Sequence, residues 1–297
     1  MKIEKRAQIL RVYKKTFLNY FRNKAQITPD ISLKGTLDFK YVTILNKRSF
    51  PLLKASLVSL YYSSKELPAE LVIVSDGTFS EIEFSEYFNF WPCKISYQHW
   101  SDIRDYFANN GELDLAQWAT KQIWGKKMAA ILYNSLFGSV LYADSDVLWF
   151  DQLIDKSTLS SQVTLRTTID NSINYDQDLI QHLNADYLNN LVPINCGVVF
   201  IKENLLKRSA ILKEAIKFEA CQPGNFSEQT IFALLVHEIG SLYPLATVES
   251  SISDSLWPIL PNYKNYPGGL KARHYLWALK WMFWRDYYFL FVKNRDI

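Results

Sequence analysis

The residues that say most about chemistry in this chain are Asp144 and Asp146, two carboxylates one residue apart. They follow the apolar run SVLYA of residues 139–143 and precede the equally apolar VLWF of residues 147–150. A doubly acidic insert between apolar runs is costly unless its charge is neutralised. Mg²⁺ and Mn²⁺ take oxygen ligands and keep open positions for phosphate, so the pair suits a cation that carries a phosphorylated substrate. The bland account is a turn-capping Asp followed by a solvated loop Asp, since Asp is a common turn residue.

These groups need a frame to hold them, and the hydrophobic pattern supplies one. The run YVTIL reads as a strand ending at Asn46, LLKASLVSLYYSS as a helix, and LVIVSDG as a second strand ending in Asp76 and Gly77. A helical segment near 81–90, a third strand CKISYQHW and one long helix from about Ala116 to Leu136 follow, leading into the strand that stops at Asp144. VTLRTT and NCGVVFIK read as further strands, with LLKRSAILKEAIKFEA and SEQTIFALLVHEI as helices. The sum is an α/β sandwich with a mixed, mainly parallel sheet. Ligands bind such sheets beyond the carboxyl ends of the strands, where Asn46, Asp76 and Asp144 fall. No internal repeat or low-complexity tract interrupts the pattern.

Composition is that of a globular chain: 297 residues, 48% hydrophobic and 21% charged. Its three cysteines, Cys93, Cys196 and Cys221, have no Cys-x-x-Cys spacing, so neither a disulfide framework nor a zinc site is indicated and a reducing cytosol is expected. No charge-free run approaches the roughly 18 residues of a spanning helix, and MKIEKRAQILRVYKK lacks the apolar stretch of a secretory signal.

The net charge of +3 conceals basic ends around an acidic body. Residues 1–24 carry eight Lys or Arg against Glu4, with Ile3, Leu10, Tyr13, Phe17 and Phe21 at helical spacing; the end, HYLWALKWMFWRDYYFLFVK, mixes aromatics with cations. Such helices suit the inner, anionic face of a membrane, each cation near it contributing roughly 1 kcal/mol. Packing helices with solvated basic faces are the simpler reading. Nucleic acid is not expected, because an acidic body offers no continuous basic groove. The expected organisation is a basic amphipathic helix and linker over 1–39, a main domain over 40–280 and an aromatic, basic segment over 281–297.

The run GKKMAAILYNSLFGSVLYADSDVLWF resembles the helix, strand and Asp-x-Asp of nucleotide-sugar glycosyltransferases with the GT-A fold, particularly family 8. YVTILNKRSFPLLKASLVSL, PINCGVVFIK, FSEQTIFALL and KARHYLWALK resemble that family's first strand and helix, Asn-x-Gly strand, acidic-Gln helix start and closing His segment, in order. The resemblance spans residues 40–280 and implies a metal-dependent hexosyltransferase. By it, Asp144, Asp146 and His274 would bind Mn²⁺ or Mg²⁺ under the donor's diphosphate, and Lys280 would meet the phosphates. Thr43, Asn46 and Asp76 would meet base and ribose, Lys127 or its neighbour Lys126 would reach the donor, and Asn195 and Gln229 would hold sugar hydroxyls. Glu228, where the family commonly has Asp, would be the carboxylate near the anomeric carbon. The chain departs from the family at Trp277 and Trp281, which stand where Gly and Pro are usual.

The resemblance also implies retention of anomeric configuration, with an oxocarbenium-like sugar between the metal and Lys280 on one side and carboxyl or amide groups on the other. An inverting base at Glu228 is the alternative outcome. The acceptor, a glycan or a lipid-linked one, is expected to lie on loops around residues 166–174 and Asn225. A nucleotidyltransferase on the same scaffold would need a Gly-rich loop where this chain reads LNKRSF. The other rival is a non-catalytic nucleotide-sugar-binding or membrane scaffold of the same fold.

Overall fold

The computed structural model describes residues 16, 18–24, 31–250, 269–276 and 280–293. Residues 1–15 and 17 of the basic helix expected over 1–24, and Trp277, lie outside them. Residues 18–24 form a helix, α1. The chain then runs β1 (Gly35–Leu45), α2 (Phe50–Ser63), β2 (Glu66–Ser75), α3 (Glu81–Phe88), β3 (Lys94–His99), α4 (Trp100–Asn109), α5 (Leu113–Lys121), α6 (Ile123–Ser135) and β4 (Val140–Ala143). After these come β5 (Val147–Trp149), α7 (Lys156–Ser160), β6 (Leu165–Ile169), α8 (Gln177–His182), β7 (Ile194–Ile201), α9 (Ala210–Cys221) and α10 (Ser227–Ile239). The short strands β8 (Gly240–Leu242), β9 (Val248–Ser250) and β10 (Ala272–His274) lead to α11 (Lys280–Tyr287).

Seven strands form the main sheet in the order β3-β2-β1-β4-β7-β6-β8, and β5-β10-β9 form a second, smaller sheet. The first four strands are parallel, β7 runs antiparallel to both β4 and β6, and β8 is parallel to β6. Strand alternation sends Val42 and Ile44 to one face, against Met128, Ile131 and Phe232, and Tyr41 and Leu45 to the other, against Leu53 and Leu57 of α2. Helices therefore cover both faces, as a mainly parallel sheet requires.

Three expectations are revised. β1 begins at Gly35, inside the expected linker, because Leu37 and Phe39 are buried and Gly35 pairs with Glu66 of β2. The single helix expected over residues 116–136 is two helices: Gln122 is extended (φ −156°, ψ 165°) and turns α6 back on α5. Gly125 permits the close approach, since a Cβ there would stand 2.5 Å from the backbone carbonyl of Trp118. Lastly, the aromatics of α11 do not face outwards. Trp281, Met282, Phe283, Trp284 and Tyr287 are buried against Ala55, Val58 and Leu148, with Phe21 of α1 in the same cluster. Burial of each such side chain is worth about 1.5–3 kcal/mol, which makes this segment part of the core. Among the described residues no helix is long and apolar enough to cross a membrane.

Candidate active site

Two sheets meet at the acidic pair. β4 stops at Ala143, and the Asp144 N–H donates to the Gly197 carbonyl on the adjacent β7 (2.8 Å), which fixes where the strand ends. Asp146 leads directly into β5, whose antiparallel pairing with β10 sets His274 opposite Val147. The Tyr275 N–H continues the ladder onto the Asp146 carbonyl (3.0 Å). This register brings a residue 128 positions further along the chain to the acidic pair. His274 Nε2 lies 3.3 Å from Asp146 Oδ1 and 3.5 Å from Asp144 Oδ2. One ligand atom from each of Asp144, Asp146 and His274 falls within 4.8 Å of the others.

The other imidazole nitrogen is engaged from behind. His274 Nδ1 is 2.8 Å from Asn195 Oδ1, which also accepts the Gly197 N–H at 2.8 Å. An oxygen already accepting one N–H takes a second from the ring, so Nδ1 carries the proton and Nε2 points at the carboxylates. Asn195 Nδ2 donates in turn to Asp170 Oδ2 (3.1 Å), which anchors the amide that holds the imidazole. Burial lowers the His274 pKa, but Asp146 and Asp144 outweigh it and the net shift is upward. Burial likewise opposes ionisation of Asp146, yet His274 and Lys280 hold its pKa down at about 2. Two carboxylates and an imidazole with its second nitrogen anchored form a donor set that fits a divalent cation such as Mn²⁺ or Mg²⁺.

Cations flank the triad. Lys280 Nζ, at the start of α11, contacts Asp146 Oδ2 at 2.9 Å and is 42% exposed. Lys127 is buried beneath the site, 3.3 Å from Asp144 Oδ1 and 3.5 Å from Glu228 Oε1, and lies over the Tyr142 ring. Burial opposes its charge, but Asp144 and Glu228 outweigh that and raise its pKa. Glu228 is shifted upward by its own burial, against the pull of Lys127. The next residue, Lys126, points elsewhere: its Nζ donates to the Asp76 carbonyl (3.2 Å) and sits 3.8 Å above the Trp100 ring.

These groups line a cavity of about 360 Å³. Of the sequence candidates, Asn46, Asp76, Lys127, Asp144, Asp146, Asn195, Glu228, Gln229, His274 and Lys280 border it. Thr43 does not: the alternation of β1 turns it to the opposite face, where it is fully buried, and Ile44 takes the cavity position. Asp76 Oδ1 also closes a turn by accepting from the Thr78 backbone and hydroxyl, and Gln229 Nε2 donates to the Ile194 carbonyl (2.6 Å). Several participants were not singled out from the sequence. Tyr142 donates to Asp144 Oδ1 (2.7 Å), and its place two residues earlier on the same strand face was the available signal. Asp170 and the apolar rim residues Ile123, Trp124, Phe226 and Leu276 carried no motif.

No family model matches the chain, and no curated protein matches it in sequence. Solved structures do match in fold. The chain is similar to the apo form of mouse xyloside xylosyltransferase 1, at 14% identity and a TM-score of 0.55, covering 80% of this chain and 97% of that one. It is similar to the galactosyltransferase LgtC solved with donor and acceptor sugar analogues, at 14% identity and a TM-score of 0.52, covering 84% and 94%. The bifunctional glycosyltransferase WbbM matches at 12% identity and a TM-score of 0.57, over 91% of this chain and 52% of its own. At these identities the likeness establishes architecture: the chain has the GT-A glycosyltransferase fold.

Proposed function

We propose that this chain is a metal-dependent glycosyltransferase that moves a sugar from a nucleoside-diphosphate sugar to a hydroxyl of a glycan or lipid-linked glycan. The observation that carries this reading is the convergence of Asp144, Asp146 and His274 at the mouth of β4, within one cavity and beside an exposed Lys280. That arrangement fits a diphosphate, and the fold is one on which such chemistry is found.

In the reaction the bond between the anomeric carbon and the phosphate oxygen breaks, the acceptor oxygen bonds to that carbon, and its proton passes to the departing diphosphate. A bound Mn²⁺ or Mg²⁺ would supply Lewis-acid charge at the diphosphate. Lys280, half exposed on the rim, adds a positive charge where the leaving group accumulates negative charge. Lys127 sits between Asp144 and Glu228 and offsets the charge of both. Glu228 and Gln229 provide the acidic and amide face for the sugar; with Nε2 bound to Ile194, Gln229 keeps Oε1 as an acceptor for a sugar hydroxyl. Asn46 and Asp76, which border the cavity at the ends of β1 and β2, would meet ribose or base. Retention of anomeric configuration rests on the resemblance to family 8, and NMR of the product's anomeric centre tests it.

The experiment is a panel of nucleoside-diphosphate sugars incubated with the protein and Mn²⁺, with a chelator control. Metal-dependent release of nucleoside diphosphate from at least one donor is expected. No release and no binding with any donor would favour the scaffold reading.

The basic ends support a second partner, an anionic membrane surface on the cytosolic side, where three free thiols are also at home. Phe21 of α1 packs on Tyr288 and Phe289, while Tyr20, Arg22 and Lys24 of the same helix are exposed. Cosedimentation with anionic vesicles should weaken in high salt and on deletion of residues 1–24; no binding at low salt would dismiss it.

A further inference from the structure

Behind the metal-ligand triad lies a second charged cluster that the chemistry above does not use. Arg273, Tyr275, Arg285 and Asp286 are each at most 2% exposed. The Tyr275 hydroxyl donates to Asp286 Oδ2 (2.7 Å), the Arg285 guanidinium meets Asp286 Oδ1 (2.6 Å), and Arg273 Nη1 is 3.7 Å from Asp286 Oδ2. Arg273 Nη2 also binds Glu249 of β9 at 2.6 Å. Burying ions costs several kcal/mol each before pairing, and an apolar cluster of similar volume is often at least as stable. Stability alone therefore does not account for the cluster, and its position suggests what does.

Along β10 and the extended residue that follows it, Arg273 and Tyr275 project to one side and His274 to the other. The side that carries Arg273 and Tyr275 meets Asp286 of α11, and the side that carries His274 meets Asp144 and Asp146. Tyr275 has a second tie, its backbone N–H on the Asp146 carbonyl. α11 in turn begins with Lys280, whose Nζ is on Asp146 Oδ2. The contacts close into a ring: Asp146 to Tyr275, Tyr275 to Asp286, Asp286 along α11 to Lys280, and Lys280 back to Asp146.

We infer that Asp286, acting through the Tyr275 hydroxyl, is a positioning residue that locks His274 and Lys280 onto Asp146, so that the metal and phosphate groups are set before a ligand arrives. The inference rests on the reading of the triad as a metal site. Loss of a group hydrogen-bonded directly to a metal ligand costs about 10- to 100-fold in metal affinity, and the Tyr275 hydroxyl acts one step further out, so the lower end of that range is expected.

The test titrates Mn²⁺ alone into the full chain and follows free Mn²⁺ by electron paramagnetic resonance, alongside a melting curve for each protein. Asp286→Asn leaves the guanidinium groups short of charge and will unfold part of the sample, so Tyr275→Phe, which removes one hydroxyl and keeps the ring, is the primary variant. Trp284→Phe, which loosens α11 without touching the charged cluster, is the control for general weakening. Tyr275→Phe is expected to bind Mn²⁺ about 10-fold more weakly, while Trp284→Phe binds as wild type even where its melting temperature falls further. Equal affinity of Tyr275→Phe and wild type would overturn the latch while leaving the metal site intact. An equal loss in Trp284→Phe would reduce the cluster to ordinary packing. Wild type that takes up no Mn²⁺ would remove the metal reading, and the latch with it.

Discussion

Gly197 lies directly against the imidazole of His274: a Cβ built on Gly197 would stand 2.0 Å from His274 Nδ1. That distance is far inside van der Waals contact, so the glycine is required by the ring that fills its side-chain space. Gly197→Ala is expected to push His274 off the acidic pair, lowering Mn²⁺ affinity about 10- to 100-fold and costing roughly 1–3 kcal/mol of stability through overpacking. Metal titration and chemical denaturation of the variant check both; unchanged affinity would mean that the ring is not held where the site needs it.

Asn195 is the hub of the same arrangement, bonded to His274, Gly197 and Asp170. Asn195→Ala leaves buried partners unmet and is expected to cost about 1–3 kcal/mol. With the Nδ1 proton no longer fixed, metal binding should weaken as well. A variant that melts early yet holds Mn²⁺ as tightly as wild type would confine Asn195 to folding.

Phe226, on the cavity rim, is 41% exposed and has left-handed backbone (φ 63°, ψ 18°) just before α10. A side chain in that region costs roughly 1–2 kcal/mol relative to glycine. Phe226→Gly should therefore be more stable than Phe226→Ala by about 1 kcal/mol, the reverse of the order in an ordinary helix. Urea melts of the two variants decide it, and the ordinary order would show that no strain is stored there.

Asp155 caps α7, accepting from the Thr158 N–H (2.7 Å) and from the Ser157 and Thr158 hydroxyls. The Ser157 hydroxyl and the Thr158 N–H do most to hold its pKa at about 2, below the ordinary 3.8. A carboxyl whose folded pKa is depressed stabilises fully above its unfolded pKa and loses that contribution as pH falls through the folded one. Asp155→Ala is thus expected to cost about 1 kcal/mol near neutrality, with the gap to wild type narrowing between about pH 4 and pH 2. Denaturation series at several pH values measure this; a gap independent of pH would contradict it.

How much of this was legible beforehand follows from particular residues. Asp144 and Asp146 stood out because charge inside an apolar run has to be neutralised, and the short apolar runs YVTIL and LVIVS, each ending at polar residues, sufficed for the first strands. The break at Gln122 was not legible: both flanks are good helix sequence, and only the packing of Gly125 on Trp118 shows why the chain turns. Thr43 faces away from the cavity although its strand does end there, a matter of one residue in a two-residue repeat. The aromatic α11 looked like a surface element because a sequence does not say which elements will cover it. The Asp286 cluster was invisible for the same reason, its members being brought together by the pairing of β10 with β5 and β9.

On the reading proposed above, Asp144, Asp146 and His274 share one divalent cation. Crystals of the protein soaked with Mn²⁺ and a nucleoside diphosphate, measured at the manganese absorption edge, would locate it. A single strong anomalous peak is expected, bonded to both carboxylates and to His274 Nε2, with diphosphate oxygens on its remaining positions. A peak elsewhere, or a nucleotide bound in the cavity with no manganese among those three side chains, would contradict it.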